Sequence, residues 1–418
     1  MPTLMFINKE SLDAIANKIR SILNIEGKFT VPSGIVSAIG DCNNFGKDLA
    51  LGKRFSTYDS RTECYKRQGY GYGKYAFAGN NNLTSVSLNS FNEVPDYCFL
   101  DCTNLETVKW YNPTTQAEAR QAPRGVGCFK GCASLTSISL AGSPITNAYV
   151  ADEAFSGCSS LSTISFVGTP NTYTSIGREA FLNCVSLTSY GGLGGYINTI
   201  GESAFRGSGL TSINITKTTG NTLTINDYAF AECPDMETVS IAFNSGRTIL
   251  GNYCFYNDTS LTTVSLPTGL TRIPDHCFDG CSSLTSIHIP ASVTSIGEYA
   301  FNGCTSLSEV VFDGTPTITS IGQRAFMNCD SLVNFTVPAS VTSIGAYAFA
   351  DCDSLEYTRL LPTTPPTAGQ YIFYTTINNP MTIYVPASVD NVVYNAYYNA
   401  TNWKISSYRS RMAIWPES

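Results

Sequence analysis

Apolar and polar positions along the chain follow a fixed period. Segments of the form L-x-x-I-x-L recur as Leu83/Val86/Leu88, Leu135/Ile138/Leu140, Leu161/Ile164/Phe166, Leu284/Ile287/Ile289 and Leu332/Phe335/Val337. Their second halves alternate apolar with polar residues, which predicts strands buried on one face. A shorter apolar piece precedes each, as in Val293-Thr294-Ser295-Ile296-Gly297, with Val and Ile inward. Its Gly is expected to permit a turn closed to other residues. Between the two pieces stands an Ala-Phe or Cys-Phe pair, predicted to open a tight turn or single helical turn with Phe filling the interior. The whole unit is clearest in IGEYAFNGCTSL from Ile296, and it returns from Ile176, Ile200, Ile321 and Ile344.

With the Phe of that pair as a ruler, the anchors are Phe77, Phe99, Phe129, Phe155, Phe181, Phe205, Phe230, Phe255, Phe278, Phe301, Phe326 and Phe349, with a decayed copy at Phe373; spacings run from 22 to 30 residues. One unit alone has nothing to pack its apolar face against. Stacked units bury that face on each other, so the core runs along an axis and the ends need caps. The expectation is a mainly β solenoid of 12–13 coils carrying a parallel sheet. The pattern I-G-x-x-A-F-x-x-C-x-S-L followed by L-x-x-I-x-L-P resembles the BspA-like leucine-rich repeat over about residues 70 to 375, at a period inside the leucine-rich range. The ending IYVPASVDNVVYNAYYNATNWKISSY resembles the segment that closes such arrays. What the resemblance implies is a right-handed solenoid used for adhesion or recognition on bacterial, protist or viral surfaces, with no catalytic residues.

Four segments follow: an N-terminal helical attachment segment at 1–45, a linker and N-terminal cap at 46–70, the solenoid at 71–375 and a C-terminal cap at 376–418. In the first, Ser11 can cap a helix whose Leu12, Ile15, Ile19 and Ile22 share one face. A second short helix after Gly27 carries Ile35, Val36 and Ile39. Two such helices are too small to stand alone, so they are expected to dock on a partner or on the first coil. The run LDAIANKIRSILNIEGKFTVPSGIVSAI resembles a segment near the start of many bacteriophage tail proteins. That resemblance implies a virion component, assembled in host cytoplasm, that contacts other virion proteins through this segment. A cell-surface or secreted adhesin is the alternative, and a structural virion spacer a second.

Composition narrows the chemistry. The 418 residues carry a net charge of -7, whereas a phosphate-binding surface needs clustered Lys and Arg, so nucleic acid is not an expected partner. Only 14% of residues are charged, against roughly 25% in typical soluble domains, leaving Ser, Thr, Asn and Tyr to cover the surface. No apolar run approaches the roughly 20 residues of a membrane span, so membrane insertion is not expected. The opening MPTLMFINKESLDAIANKIR lacks the apolar stretch of a secretory signal.

Of 15 cysteines, nine sit three residues after an anchor Phe: Cys102, Cys132, Cys158, Cys184, Cys233, Cys281, Cys304, Cys329 and Cys352. Neighbouring coils could bring them near bonding range, but parallel side-chain vectors disfavour the disulfide dihedral. The same slot holds Ser208 and Asp258, which cannot form disulfides, so its task is read as satisfying backbone groups of the turn. The C-x-x-x-C spacing of Cys98/Cys102, Cys128/Cys132 and Cys277/Cys281 arises because the first cysteine replaces the Ala before Phe. With only two histidines and no paired C-x-x-C clusters, no metal site is expected. GYGYGK at residues 69–74 is likewise the repeat glycine in frame, not a phosphate loop. Neither His276 nor His288 has a nucleophile partner distinguished from its repeat equivalents, so no catalytic residue and no cofactor are expected.

Recognition would therefore lie on the outward strand positions or in insertions. The outward pairs form a band of hydroxyls, from Ser85/Ser87 and Ser137/Ser139 to Thr263/Ser265. Such a band is either a soluble face of good strand formers or a shallow surface for host glycan or protein. Departures from Ser/Thr mark candidates: Lys109, His288, Glu309, Tyr357 and Arg359. Insertions add Trp110 and Tyr111, which open the longest repeat, and the glycine-rich loop Tyr190 to Tyr196. Aromatics also crowd the end of the chain, some to cap the last coil and others free to anchor a partner. Homo-oligomerisation stays open.

Overall fold

The computed structural model describes residues 74–89, 94–111, 124–141, 148–167, 173–191, 197–217, 222–243, 246–374, 381–387, 391–400, 403 and 412–414. The attachment segment with Leu12, Ile15, Ile19 and Ile22, the 46–70 linker, Tyr196, and the side chain of Tyr111 lie outside the described residues. The chain divides into two compact units, one of Met1–Thr172 with Glu179–Leu187 and one of Tyr173–Arg178 with Thr188–Ser418.

Each unit is a parallel β-solenoid, because the L-x-x-I-x-L strands pair in register from coil to coil. In the first unit Ser85–Asn89, Thr107–Tyr111, Ser137–Ala141 and Thr163–Val167 make one four-stranded sheet, with Val86 opposite Val108 and Ile138 opposite Ile164. In the second, Ser212–Lys217, Thr238–Phe243 and Thr263–Ser265 pair, as do Ser286–Ile289 and Glu309–Phe312. Asn334–Val337, Tyr357–Leu360, Thr382–Val385 and Met412–Ile414 continue the arrangement. The shorter apolar pieces build a second parallel wall in this unit, with Arg272–Ile273, Ser295–Ile296, Ser320–Ile321, Ser343–Ile344 and Thr367–Ala368 in successive register.

The anchors fill the space between the walls. Phe77, Phe99, Phe129, Phe155 and Phe181 stack face to face at 5.1 to 5.6 Å in the first unit. A run from Phe205 to Phe373 does so in the second, for example Phe278–Phe301 at 5.4 Å and Phe301–Phe326 at 5.1 Å. All are buried, together with the Ala or Cys before most of them. One helix is found among the described residues, Val392–Asn399. Its Tyr397 is buried and donates its hydroxyl to the Pro362 carbonyl at 2.9 Å, while the buried Trp403 donates its indole N–H to Pro366 at 3.0 Å.

The turn around the anchor differs from expectation in one respect. Gly297, Gly322 and Gly345, the repeat glycines, do not hold left-handed backbone; a Cβ on Gly322 would sit 2.4 Å from the carbonyl carbon of Gly297 in the preceding coil. Close approach of successive coils, not turn conformation, requires glycine there. The left-handed residue is the second after that glycine, for instance Tyr299 (φ 53°), and another falls two residues after Phe, for instance Gly303 (φ 70°). Alternation of left-handed with ordinary backbone aims every second N–H along the stack. Thus Tyr299, Phe301 and Gly303 donate to the carbonyls of Gln323, Ala325 and Met327 in the next coil at 2.8 to 2.9 Å.

Candidate binding surfaces

The thiol slot lies inside the coil and is a hydrogen-bonding position. In each of the nine coils that place a cysteine three residues after Phe, its Sγ donates to the carbonyl of the preceding coil's anchor Phe. Examples are Cys102 to Phe77 at 3.0 Å, Cys132 to Phe99 at 3.2 Å, Cys304 to Phe278 at 3.2 Å and Cys352 to Phe326 at 3.1 Å. The cysteines among the described residues are free and buried. Burial pushes Cys102 and Cys352 up to about 12 and raises slot thiols such as Cys132 and Cys329 well above the ordinary thiol range. Among the described residues, no group of three or more His, Cys, Asp or Glu side chains is placed to hold a metal ion.

On the outward sheet face, Lys109 and Glu309 are exposed. His288 is also exposed, with Nδ1 3.1 Å from Asp313 Oδ1. His288 stands opposite Val311, and Ser286 opposite Glu309, so His288 and Glu309 share one stretch of sheet. Tyr357 and Arg359 are half-buried; Tyr357 meets the edge of Tyr384 at 5.9 Å.

Two expected binding residues belong to the core instead. Trp110 is 2% exposed, because it occupies the last inward position of Leu105/Val108/Trp110 and pairs with Leu88. Tyr190 is 8% exposed and packs edge-on against Phe205 at 5.1 Å. Trp110 points inward by the strand alternation that places Leu88 and Leu140, and Tyr190 takes the inward position that isoleucine holds in other repeats.

Another surface was not anticipated. The left-handed position before the Ala-Phe or Cys-Phe pair is half-buried at Tyr228, Tyr253, His276, Tyr299, Arg324 and Tyr347, and in the second unit it carries a column of planar side chains. Tyr228 stacks on Tyr253 at 4.6 Å, Tyr253 on His276 at 4.3 Å, and His276 on Tyr299 at 4.6 Å. Arg324 continues the column between Tyr299 and Tyr347, its guanidinium 5.3 and 5.1 Å from their ring centres and donating to the Tyr299 hydroxyl. Tyr347 packs on Tyr371 at 5.4 Å. At the other end Arg206 covers Tyr228 at 5.3 Å, held by a two-pronged pair with Glu232 at 2.7 and 3.0 Å. His276 is fixed from the side by Asp279 at 2.7 Å, whose other oxygen accepts from Asn302 at 2.8 Å. A smaller counterpart in the first unit stacks Tyr75 on Tyr97 at 5.1 Å beneath Lys74. The signal was present in sequence as Tyr or His two residues before the anchor Phe.

These side chains are bulky residues in a backbone region that costs roughly 1–2 kcal/mol for an L-residue. Stacking at one-coil intervals offsets that cost by roughly 0.5–1.5 kcal/mol per aromatic pair. Because ring faces are taken by neighbours, what the column offers a ligand is a row of ring edges, hydroxyls and cationic nitrogens repeating roughly every 4.8 Å.

No curated protein matches the chain. Among solved structures, it is similar to a leucine-rich repeat protein from Bacteroides ovatus at 26% identity over 70% of this chain and 82% of that one, with a TM-score of 0.47. A leucine-rich cell surface protein from Faecalibacterium prausnitzii is 22% identical over 73% and 85%, TM-score 0.36. The leucine-rich repeat protein of T. pallidum is 34% identical over 37% and 65%, TM-score 0.26. The BspA type leucine rich repeat region matches residues 69–121, 125–245, 194–293, 223–356 and 271–404, which together take in most of the chain. With its stacked anchors, coil-to-coil strands and repeated turn, the chain belongs to the BspA-type leucine-rich repeat family.

Proposed function

We propose that the chain is a non-enzymatic recognition protein that binds a host surface protein or glycan through the outer surface of its solenoid. The observation that carries this reading is the column from Tyr228 to Tyr371, with His276 and Arg324 among its rungs. Rigid aromatic and arginine groups are the side chains that anchor interfaces with little entropy to lose. The exposed His288 and Glu309 add polar groups on the outward sheet face. Residues 1–45 are the attachment segment in this reading, and their resemblance to bacteriophage tail proteins supports a virion component whose first segment docks on other virion proteins. A cell-surface adhesin is the second reading, favoured by membership of the BspA-type family.

The test is binding of the full chain to host cells and to arrayed host glycans, comparing wild type with Tyr253→Ala and Tyr299→Ala and with His288→Ala. Loss of binding in column variants that remain folded, with the thermal midpoint lowered only as far as the lost stacking requires, is the expected outcome. A folded protein that binds no host component makes the solenoid a spacer. Deleting residues 1–45 separates the two settings: the virion reading expects loss of particle incorporation with binding retained, and normal incorporation overturns it.

A further inference from the structure

We infer that Asp258 is a neutral carboxylic acid in the folded protein, donating its proton to the Phe230 carbonyl and so forming a pH-sensitive latch between two coils of the second unit. Asp258 stands in the slot where nine coils carry a thiol, three residues after its anchor Phe255, and it is fully buried. In those coils the slot side chain is a donor to the carbonyl of the preceding anchor, as Cys281 is to Phe255 at 3.1 Å. An ionised carboxylate can only accept. At Asp258 the bonding is rearranged accordingly. Oδ1 accepts the Cys233 backbone N–H at 2.8 Å. In coils such as those of Cys102, Cys281 and Cys304 that N–H returns instead to the anchor carbonyl of its own coil, at 3.1 to 3.3 Å. Two groups are thereby left over: Oδ2 is buried with no partner among the described residues, and the Phe230 carbonyl receives neither the slot thiol nor the turn N–H found elsewhere. Both are acceptors unless one gains a proton. A proton on Oδ2 resolves both, and it reproduces the bond that the thiols make.

The surroundings favour the neutral form. The charged group that acts on Asp258 is Glu232, and the titratable neighbours that share its surroundings are the buried thiols of Cys233, Cys254, Cys277 and Cys281, which burial keeps protonated and neutral. None is a cation, and burial, the largest influence, pushes the carboxyl well above its usual range, with Glu232 adding to it against the opposing Cys233 N–H. The sign of the pH effect follows. Below the unfolded carboxyl value of roughly 3.9 both states are protonated and the latch contributes fully. As pH rises the unfolded chain ionises first, so stability falls until the folded group also loses its proton, and above that point the latch is open.

The test is the full-length chain with Asp258→Asn and with Asp258→Cys, which restores the repeat. Thermal midpoints are followed from pH 4 to pH 9, alongside difference infrared spectra. Asn supplies an uncharged donor of the same shape, so the midpoint gap between Asp258→Asn and wild type should widen as pH rises. A protonated-carboxyl stretch present in wild type at neutral pH should be missing from both variants. If Asp258→Asn does not fold, Asp258→Cys against wild type gives the same two readouts. A gap that stays constant over this range, or no protonated-carboxyl band lost from either variant at neutral pH, overturns the inference.

Discussion

Cys304 offers a direct test of what the repeated slot does. Its Sγ is fully buried and donates to Phe278 at 3.2 Å, while the same carbonyl also accepts the Cys281 N–H at 3.1 Å. Removing the thiol therefore weakens this acceptor without orphaning it. Cys304→Ala loses one weak hydrogen bond, about 0.5–1.5 kcal/mol, and leaves a methyl-sized void costing about 1 kcal/mol more. The sum is roughly 1.5–2.5 kcal/mol. Cys304→Ser loses some packing but keeps a donor in a slot that Ser208 already fills, so its cost should stay below about 1 kcal/mol. If the slot were only a place for a small apolar side chain, the order would reverse, because Ser would bury an unpaired hydroxyl at about 1–3 kcal/mol. Urea titration of the two variants, followed by far-ultraviolet circular dichroism, decides between them. Alanine matching or exceeding serine in midpoint would refute the hydrogen-bond account.

The thiols as a set should be silent to a thiol reagent in the native state at pH 8 and react once the chain is denatured; labelling of the slot cysteines without unfolding would contradict their burial. Because the folded values of Cys102 and Cys352 are pushed up to about 12 while unfolded thiols ionise near roughly 8.5, their contribution is complete below that lower value and declines as pH rises towards the upper one, which alkaline denaturation curves can check. Phe301→Ala removes a ring stacked on both sides and should cost roughly 3–5 kcal/mol, whereas Ser286→Ala on the outward row should stay within about 0.5 kcal/mol; a reversed ranking would misplace the inside of the coil. Trp110→Ala should destabilise by roughly 3–5 kcal/mol, while His288→Ala should leave stability within about 0.5 kcal/mol. A Trp110→Ala variant that kept its stability yet lost host binding would restore that residue to the surface.

The repeat was legible because its anchor is a large apolar residue at a constant phase, and burial of Phe77 through Phe373 follows from that phase alone. The same phase placed Trp110 and Tyr190 inward, since Leu105/Val108/Trp110 continues the strand pattern and Tyr190 takes the position of its isoleucine. Assigning them to binding let residue type outweigh position, and in a solenoid position governs, because each coil's inward slots are fixed by its neighbours. The column at Tyr228, Tyr253, His276 and Tyr299 failed to show for the opposite reason. Its residues sit at a variable position of the repeat and adopt a backbone conformation that single-residue preferences weigh against. What favours them there is contact with a residue about two dozen positions away, which appears only once coils are stacked. The thiol slot lies between these cases. Substitution by Ser208 and Asp258 revealed a polar duty, but its acceptor, the preceding coil's Phe carbonyl, depended on coil geometry. Asp258 is the position where that duty and ordinary carboxylate chemistry conflict. The conflict is visible in sequence as one acidic residue in a row of thiols, and its resolution by a proton requires the three-dimensional arrangement of Cys233, Phe230 and the buried Oδ2.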